Sequence, residues 1–260
     1  MRMTLPALRR RAAAELVGTG GLVAVIVGSG IRADALSQDS GVRLLANSLA
    51  SALGIGLLIA LLGPLSGAHL NPVVTLSEWW SRRREAGAPG GGEAAVYIAA
   101  QLAGAIAGAF LAEAMFGRAP GTWSTRAHTH TSLLLGETVA TAGLVLVVQG
   151  LRHTGRSSLA PVAVSAYVAA AIWFTSSGSF ANPAATVGRS LSDSFTGIAP
   201  GSLPGFIGAQ LLGALLGTAL AAVLYGPGRS GTARPTGPRR ASPADPADPA
   251  ALDAADLSPG

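Results

Sequence analysis

Apolar residues are grouped along this chain in blocks of membrane length. Six blocks, at about 12–31, 42–63, 94–116, 132–151, 158–176 and 204–225, carry almost no charged side chains. An α-helix rises 1.5 Å per residue, so about 20 residues cross the roughly 30 Å apolar layer of a bilayer. Each block therefore predicts a transmembrane helix, and the abundance of Gly and Ala suits close helix packing in lipid. Two shorter apolar stretches, between the second and third blocks and between the fifth and sixth, begin at Asn71-Pro72 and Asn182-Pro183. Asn is a good N-cap, and Pro at the first helical position lacks only an N–H that would have no partner there. About ten helical residues after each pair make roughly 15 Å, half of the apolar layer, so neither piece spans alone.

The two Asn-Pro pairs belong to a longer duplication. Residues 66–75, SGAHLNPVVT, and 177–186, SGSFANPAAT, agree at Ser, Gly, Asn, Pro and Thr. Residues 15–23, ELVGTGGLV, resemble 137–145, ETVATAGLV, and residues 100–112, AQLAGAIAGAFLA, resemble 209–221, AQLLGALLGTALA. Each half thus reads span, span, Asn-Pro segment, span. Three spans is an odd number, so the second half enters the bilayer inverted relative to the first. The half-helices then enter from opposite faces and meet near the midplane with their N-termini. The loops before them carry non-helical backbone to membrane depth, where it is tolerated only inside protein or along a water-filled path. The fold class is an all-α membrane protein with six transmembrane helices and two re-entrant half-helices.

Composition and charge refine this picture. Hydrophobic residues make up 49% of the chain and charged ones 12%, with a net charge of +5. The basic residues, all Arg, form no continuous nucleic-acid patch but sort by topology. Arg2 and Arg9 to Arg11, Arg82 to Arg84, Arg152 and Arg156, and Arg229, Arg234, Arg239 and Arg240 share one side; Arg32, Arg43, Arg118, Arg126 and Arg189 lie opposite. The positive-inside rule places both termini in the cytoplasm of a plasma (inner) membrane protein. The N-terminal Arg cluster with its apolar run imitates a signal peptide, yet Glu15 sits early in that run and no cleavage site follows, so it reads as a retained first span. Cysteine is absent, which excludes disulfides and thiol chemistry. With no nucleophile triad, phosphate loop or metal-ligand cluster, no enzyme activity, metal or cofactor is expected. A basic N-terminus (1–11) precedes the membrane domain (12–225, with repeats at about 12–117 and 132–225), and a Pro-, Ala- and Asp-rich tail (226–260) is expected to be disordered and cytoplasmic.

SGAHLNPVVT, SGSFANPAAT, the paired Glu15 and Glu137, and the paired Gln101 and Gln210 together resemble the aquaporin and aquaglyceroporin channels, the major intrinsic protein family, over about residues 12–225. The resemblance implies the aquaporin fold, a pore in every subunit, and a homotetramer embedded in membrane lipid. It assigns the pore motifs to Asn71, Pro72 and Val73 and to Asn182, Pro183 and Ala184. The Asn amides would donate to a passing neutral solute, and the carbonyls of Gly67, Ala68, His69, Gly178, Ser179 and Phe180 would accept from it. The positive ends of both half-helix dipoles would exclude cations and protons.

One position departs from the family pattern. The residue after Asn182-Pro183-Ala184, usually Arg in the family's selectivity ring, is Ala185. Carrying over the other ring positions by spacing gives Ser51, Ala170 and Ser179, a ring of small residues and a wide opening. A small shift at the end of segment five would bring Trp173 or Phe174 to the mouth instead. Arg189, one turn beyond Ala185 on nearly the same helix face, either reaches the ring or satisfies loop carbonyls and headgroups. The stretch around the second motif is similar to a bacterial subgroup linked to arsenic resistance. This implies passage of water, glycerol-like polyols and undissociated arsenous acid. A water-selective aquaporin and, in another class, a secondary transporter are the competing readings.

Other polar residues have local readings. Glu15 and Glu137 are expected to accept from backbone N–H groups of the re-entrant loops rather than relay protons. His69 reads as a loop brace, His128 and His130 as a pair without a third metal ligand, and His153 as a solvated loop residue. Trp79 and Trp80 read as interfacial anchors, and the Gly104/Gly108 and Gly213/Gly217 pairs as sites of close helix contact.

Overall fold

The computed structural model describes residues 7–83 and 90–226. Arg2, Arg84 and the tail from residue 227 onward, with the disorder expected of it, lie outside the described residues. The chain forms α1 (Leu8–Leu36), α2 (Ser40–Ser66), α3 (Pro72–Arg82), α4 (Gly91–Met115), α5 (Thr131–His153), α6 (Ala160–Phe174), α7 (Pro183–Ser190) and α8 (Leu203–Tyr225). Short 3₁₀ turns at Ser157–Leu159 and Pro200–Ser202 lead into α6 and α8. Among the described residues there is no strand. Among the described residues six helices are long and apolar enough to cross a membrane, α6 and α8 counted with the 3₁₀ turns that lead into them, while α3 and α7 have 11 and 8 residues.

The halves are built alike. Helix α1 lies along α4, and α5 along α8. A Cβ at Gly104 or Gly108 would collide with the carbonyl oxygens of Leu16 and Gly20, and one at Gly213 or Gly217 with those of Thr138 and Ala142. Both GxxxG pairs therefore act inside the subunit, bringing backbones together where no side chain fits. The half-helices interlock the halves: α7 packs on α1 and α4 around Val23, Ala105, Ala109 and Ala184, and α3 sets Val73 against Val145 of α5 and Ala214 of α8. On α2, Leu45, Leu49, Leu53, Leu57, Leu61 and Leu65 repeat every four residues and are exposed. An unbroken apolar stripe of that length suits lipid or a neighbouring subunit, not water.

Candidate functional site: two loops, two half-helices and the path between them

Two loops of unusual backbone lead into α3 and α7. Helix α2 ends at Gly67 in the left-handed conformation (φ 90°), and Gly178 holds the equivalent place in the second half (φ 70°). Ala68 and Leu70, then Ser179 and Ala181, also have φ between 46° and 49°. For residues with a Cβ this conformation costs about 1–2 kcal/mol each, so it persists only where the surroundings over-determine it.

Two buried carboxylates supply that constraint. Glu15 of α1 accepts from the Ser66 hydroxyl at 2.7 Å, His69 N–H at 3.0 Å, Leu70 N–H at 2.7 Å and Gln101 Nε2 at 2.8 Å. Glu137 of α5 accepts from Phe180 N–H at 2.8 Å, Ala181 N–H at 2.9 Å and Gln210 Nε2 at 2.7 Å. Each Gln also donates to a threonine, Thr75 or Thr186, at 2.9 Å, and that hydroxyl bonds the carbonyl of Asn71 or Asn182. One network in each half thus ties a span, a loop and a half-helix. Each carboxylate is engaged by fixed donors on both oxygens.

The asparagines join the halves. Asn71 Oδ1 caps α3 by accepting from Val73 N–H at 3.0 Å; Asn182 Oδ1 caps α7 by accepting from Ala184 at 3.0 Å and Ala185 at 3.2 Å. Their amide nitrogens cross over: Asn71 Nδ2 donates to the Ala181 carbonyl and Asn182 Nδ2 to the Leu70 carbonyl, both at 2.8 Å. Each amide carries a second hydrogen. Both asparagines line two cavities, one on either side of this junction.

On the arginine-rich side the cavity is wide, about 500 Å³, and is bordered by Gly67, Ala68 and His69. At its mouth Glu78 of α3 faces Arg152 of α5 at 3.5 Å. The opposite cavity is narrow, about 60 Å³, and is bordered by Gly178, Ser179 and Phe180. Ser51 and Ala185 line it.

Two expectations for the ring are corrected. Ala170 is exposed on α6 and does not line the narrow cavity, where Val168 and Ile172 stand instead. The α6 helix stops at Phe174 and Thr175 turns to extended backbone, so spacing counted back through the helix end was displaced by two residues. Two residues turn a helix by about 200°, which exchanges one face for the other. Trp173 and Phe174 are also largely exposed, and the Trp173 indole N–H donates to Ser48 at 3.1 Å. The lining of the narrow cavity is also not made of small residues throughout. Arg189 lines the narrow cavity, its Nε donating to the Thr196 carbonyl at 2.6 Å and its guanidinium carbon 3.3 Å from the centre of the Phe180 ring.

The Phe180 side chain also borders the narrow cavity, where the sequence reading assigned only its carbonyl. It packs edge-on to Phe206 at 5.2 Å and to His128 at 5.9 Å, contacts that no local pattern announces. His128 is half-buried, with Nδ1 2.9 Å from the Arg126 carbonyl, and burial pushes its pKa below the usual imidazole value. His130 is exposed, and among the described residues no cluster of three His, Cys, Asp or Glu could hold a metal. His69 faces Thr75 Oγ1 at 3.1 Å and the Tyr97 ring edge-on. His153 stacks on Tyr225, at the end of α5 rather than in a free loop. Trp80 is half exposed with the Arg83 guanidinium 3.6 Å over its ring. In the loop after α7, Asp193 accepts from Thr125 N–H at 3.0 Å, a bond that holds its carboxyl below the ordinary value.

The family model for the major intrinsic protein matches residues 2–176. The aquaglyceroporin AqpS of Rhizobium meliloti is 46% identical over 223 residues, covering 85% of this chain and 93% of the relative. The probable aquaporin AqpM of Archaeoglobus fulgidus is 32% identical, covering 68% and 73%. The X-ray structure of the aquaglyceroporin from Plasmodium falciparum shares the fold with a TM-score of 0.64 at 22% identity, covering 85% of this chain and 96% of that one. The chain belongs to the major intrinsic protein family and is a passive membrane channel for water and small solutes, not an enzyme.

Proposed function

We propose that water and neutral polyols of glycerol size pass between the two cavities through the junction of Asn71 and Asn182, and that undissociated arsenous acid, a neutral molecule with three hydroxyls like glycerol, follows the same path. The reciprocal Asn clasp carries this reading: it aims the N-termini of two half-helices at one point and leaves one amide hydrogen on each Asn for a solute oxygen. Loop carbonyls of Gly67, Ala68, His69, Gly178, Ser179 and Phe180 accept from the solute hydroxyls on either side. Each helix N-terminus carries roughly half a positive charge, so two of them repel a cation or an excess proton while a neutral solute loses little. The relative named an aquaglyceroporin supports the wider solute range. The exposed leucine face of α2 is consistent with a homotetramer in lipid, and the arginine distribution with cytoplasmic termini in the inner membrane.

Stopped-flow light scattering on proteoliposomes tests this directly. Water, glycerol and arsenous acid should each exceed the lipid background, rising linearly with the gradient and with a low activation energy. Fast water with glycerol and arsenous acid at background would establish the water-selective reading, which the narrow Arg189-lined cavity favours. Saturable, gradient-driven flux would establish a secondary transporter.

A further inference from the structure

We infer that Arg189 is the specificity-determining cation of the narrow mouth, delivered from one helical turn beyond Ala185 and held over the lumen by the Phe180 ring. The inference rests on the channel reading above. Four residues of α-helix advance about 6 Å and return to nearly the same face. Helical side chains lean toward the N-terminus and cover the preceding turn, so an arginine in the last turn of α7 folds back over Ala185. The Ala185 methyl leaves it room, and both residues line the same cavity. An alanine where the family usually carries arginine therefore relocates the charge without removing it.

Three contacts define the placement. Nε is fixed by the Thr196 carbonyl, and one face of the guanidinium lies on Phe180, whose own N–H is held by Glu137. Among the described residues no carboxylate pairs with Arg189 and no protein acceptor takes its terminal Nη hydrogens. A partly buried cation with unmet donors, lining a space of about 60 Å³, makes the cavity smaller and offers hydrogen bonds to whatever oxygen enters it. Phe180 is the positioning residue, since an aromatic face holds a guanidinium better than an aliphatic side chain can.

The test compares glycerol and a four-carbon polyol with water in proteoliposomes of the full chain. Arg189→Ala should raise the ratio of four-carbon polyol to water permeability roughly tenfold, the scale on which one side chain in a pocket discriminates. Phe180→Leu should raise it in the same direction but less, and Phe180→Leu with Arg189→Ala should go no higher than Arg189→Ala alone. Arg189→Lys keeps the charge but loses the planar stack, and should give a partial rise, which keeps the test open if Arg189→Ala does not assemble. A ratio that stays constant or falls in Arg189→Ala or Arg189→Lys with water flux intact overturns the inference, as does a double variant whose effects simply add. A wild-type channel that passes no solute would defeat the channel reading instead.

Discussion

The side-chain amide of Asn71 donates to the Ala181 carbonyl at 2.8 Å, so the cap of one half-helix is bonded to the loop that precedes the other. Asn182 and Leu70 repeat the relationship in reverse. Replacing either Asn by Ala removes a cap, at about 1 kcal/mol, together with the cross-loop bond. Both single variants should lower the thermal midpoint and water flux. The double variant should lose less than the sum, because residues in one network couple. Fully additive losses would show that the two bonds act independently.

Glu15→Gln and Glu137→Gln should each destabilise the subunit by about 1–3 kcal/mol, since an NH₂ group then faces backbone donors that have lost their acceptor. The near-identical surroundings of the two carboxylates predict similar losses. Thermal unfolding in detergent measures this. If Glu137→Gln instead kept its stability and abolished a pH-gradient-driven uptake, the carboxylate would be a relay.

Helix α8 offers an internal comparison. Gly213→Ala should fail to give a folded subunit, because its methyl would meet the Thr138 carbonyl; Gly208→Ala has nothing within 4 Å and should be tolerated. Size-exclusion profiles of the two purified variants distinguish them.

Acid should weaken the tie between the Thr125 segment and the loop after α7 through Asp193. Its carboxyl titrates below the unfolded value of 3.8, chiefly because the Thr125 N–H bonds its ionised form. The resulting stability is present above that value and fades as pH falls through the lower folded value. Asp193→Asn should therefore be less stable than wild type at neutral pH, and the difference should shrink below about pH 4. A gap in thermal midpoint that stayed constant from pH 7 to pH 3 would contradict this.

His128 should act in the same direction at milder acidity. Burial holds its pKa below 6.5, so the neutral imidazole is favoured in the fold. Stability is complete above that value and declines as pH falls below it, until the folded group protonates too. His128→Phe should flatten thermal midpoints between pH 7 and pH 5, and an unaltered slope would remove His128 from the account.

The six spans, both half-helices and their inversion were legible in the residues alone, because apolar length, Asn-Pro caps and a duplicated pattern are local or periodic signals. Even the Glu15 and Glu137 pairing could be anticipated, since duplication set the same carboxylate beside the same loop twice. The tertiary structure alone decided which side chains border the narrow cavity. It turned Ala170 outward and Ile172 inward, brought Arg189 to the same cavity as Ala185, and set Phe180 against the guanidinium. The cause is geometric: a helix rotates about 100° per residue, so the residue at which α6 ends selects the face presented to the pore. Where a long arginine comes to rest depends on the space left by residues from other elements, and no spacing along the chain records that space.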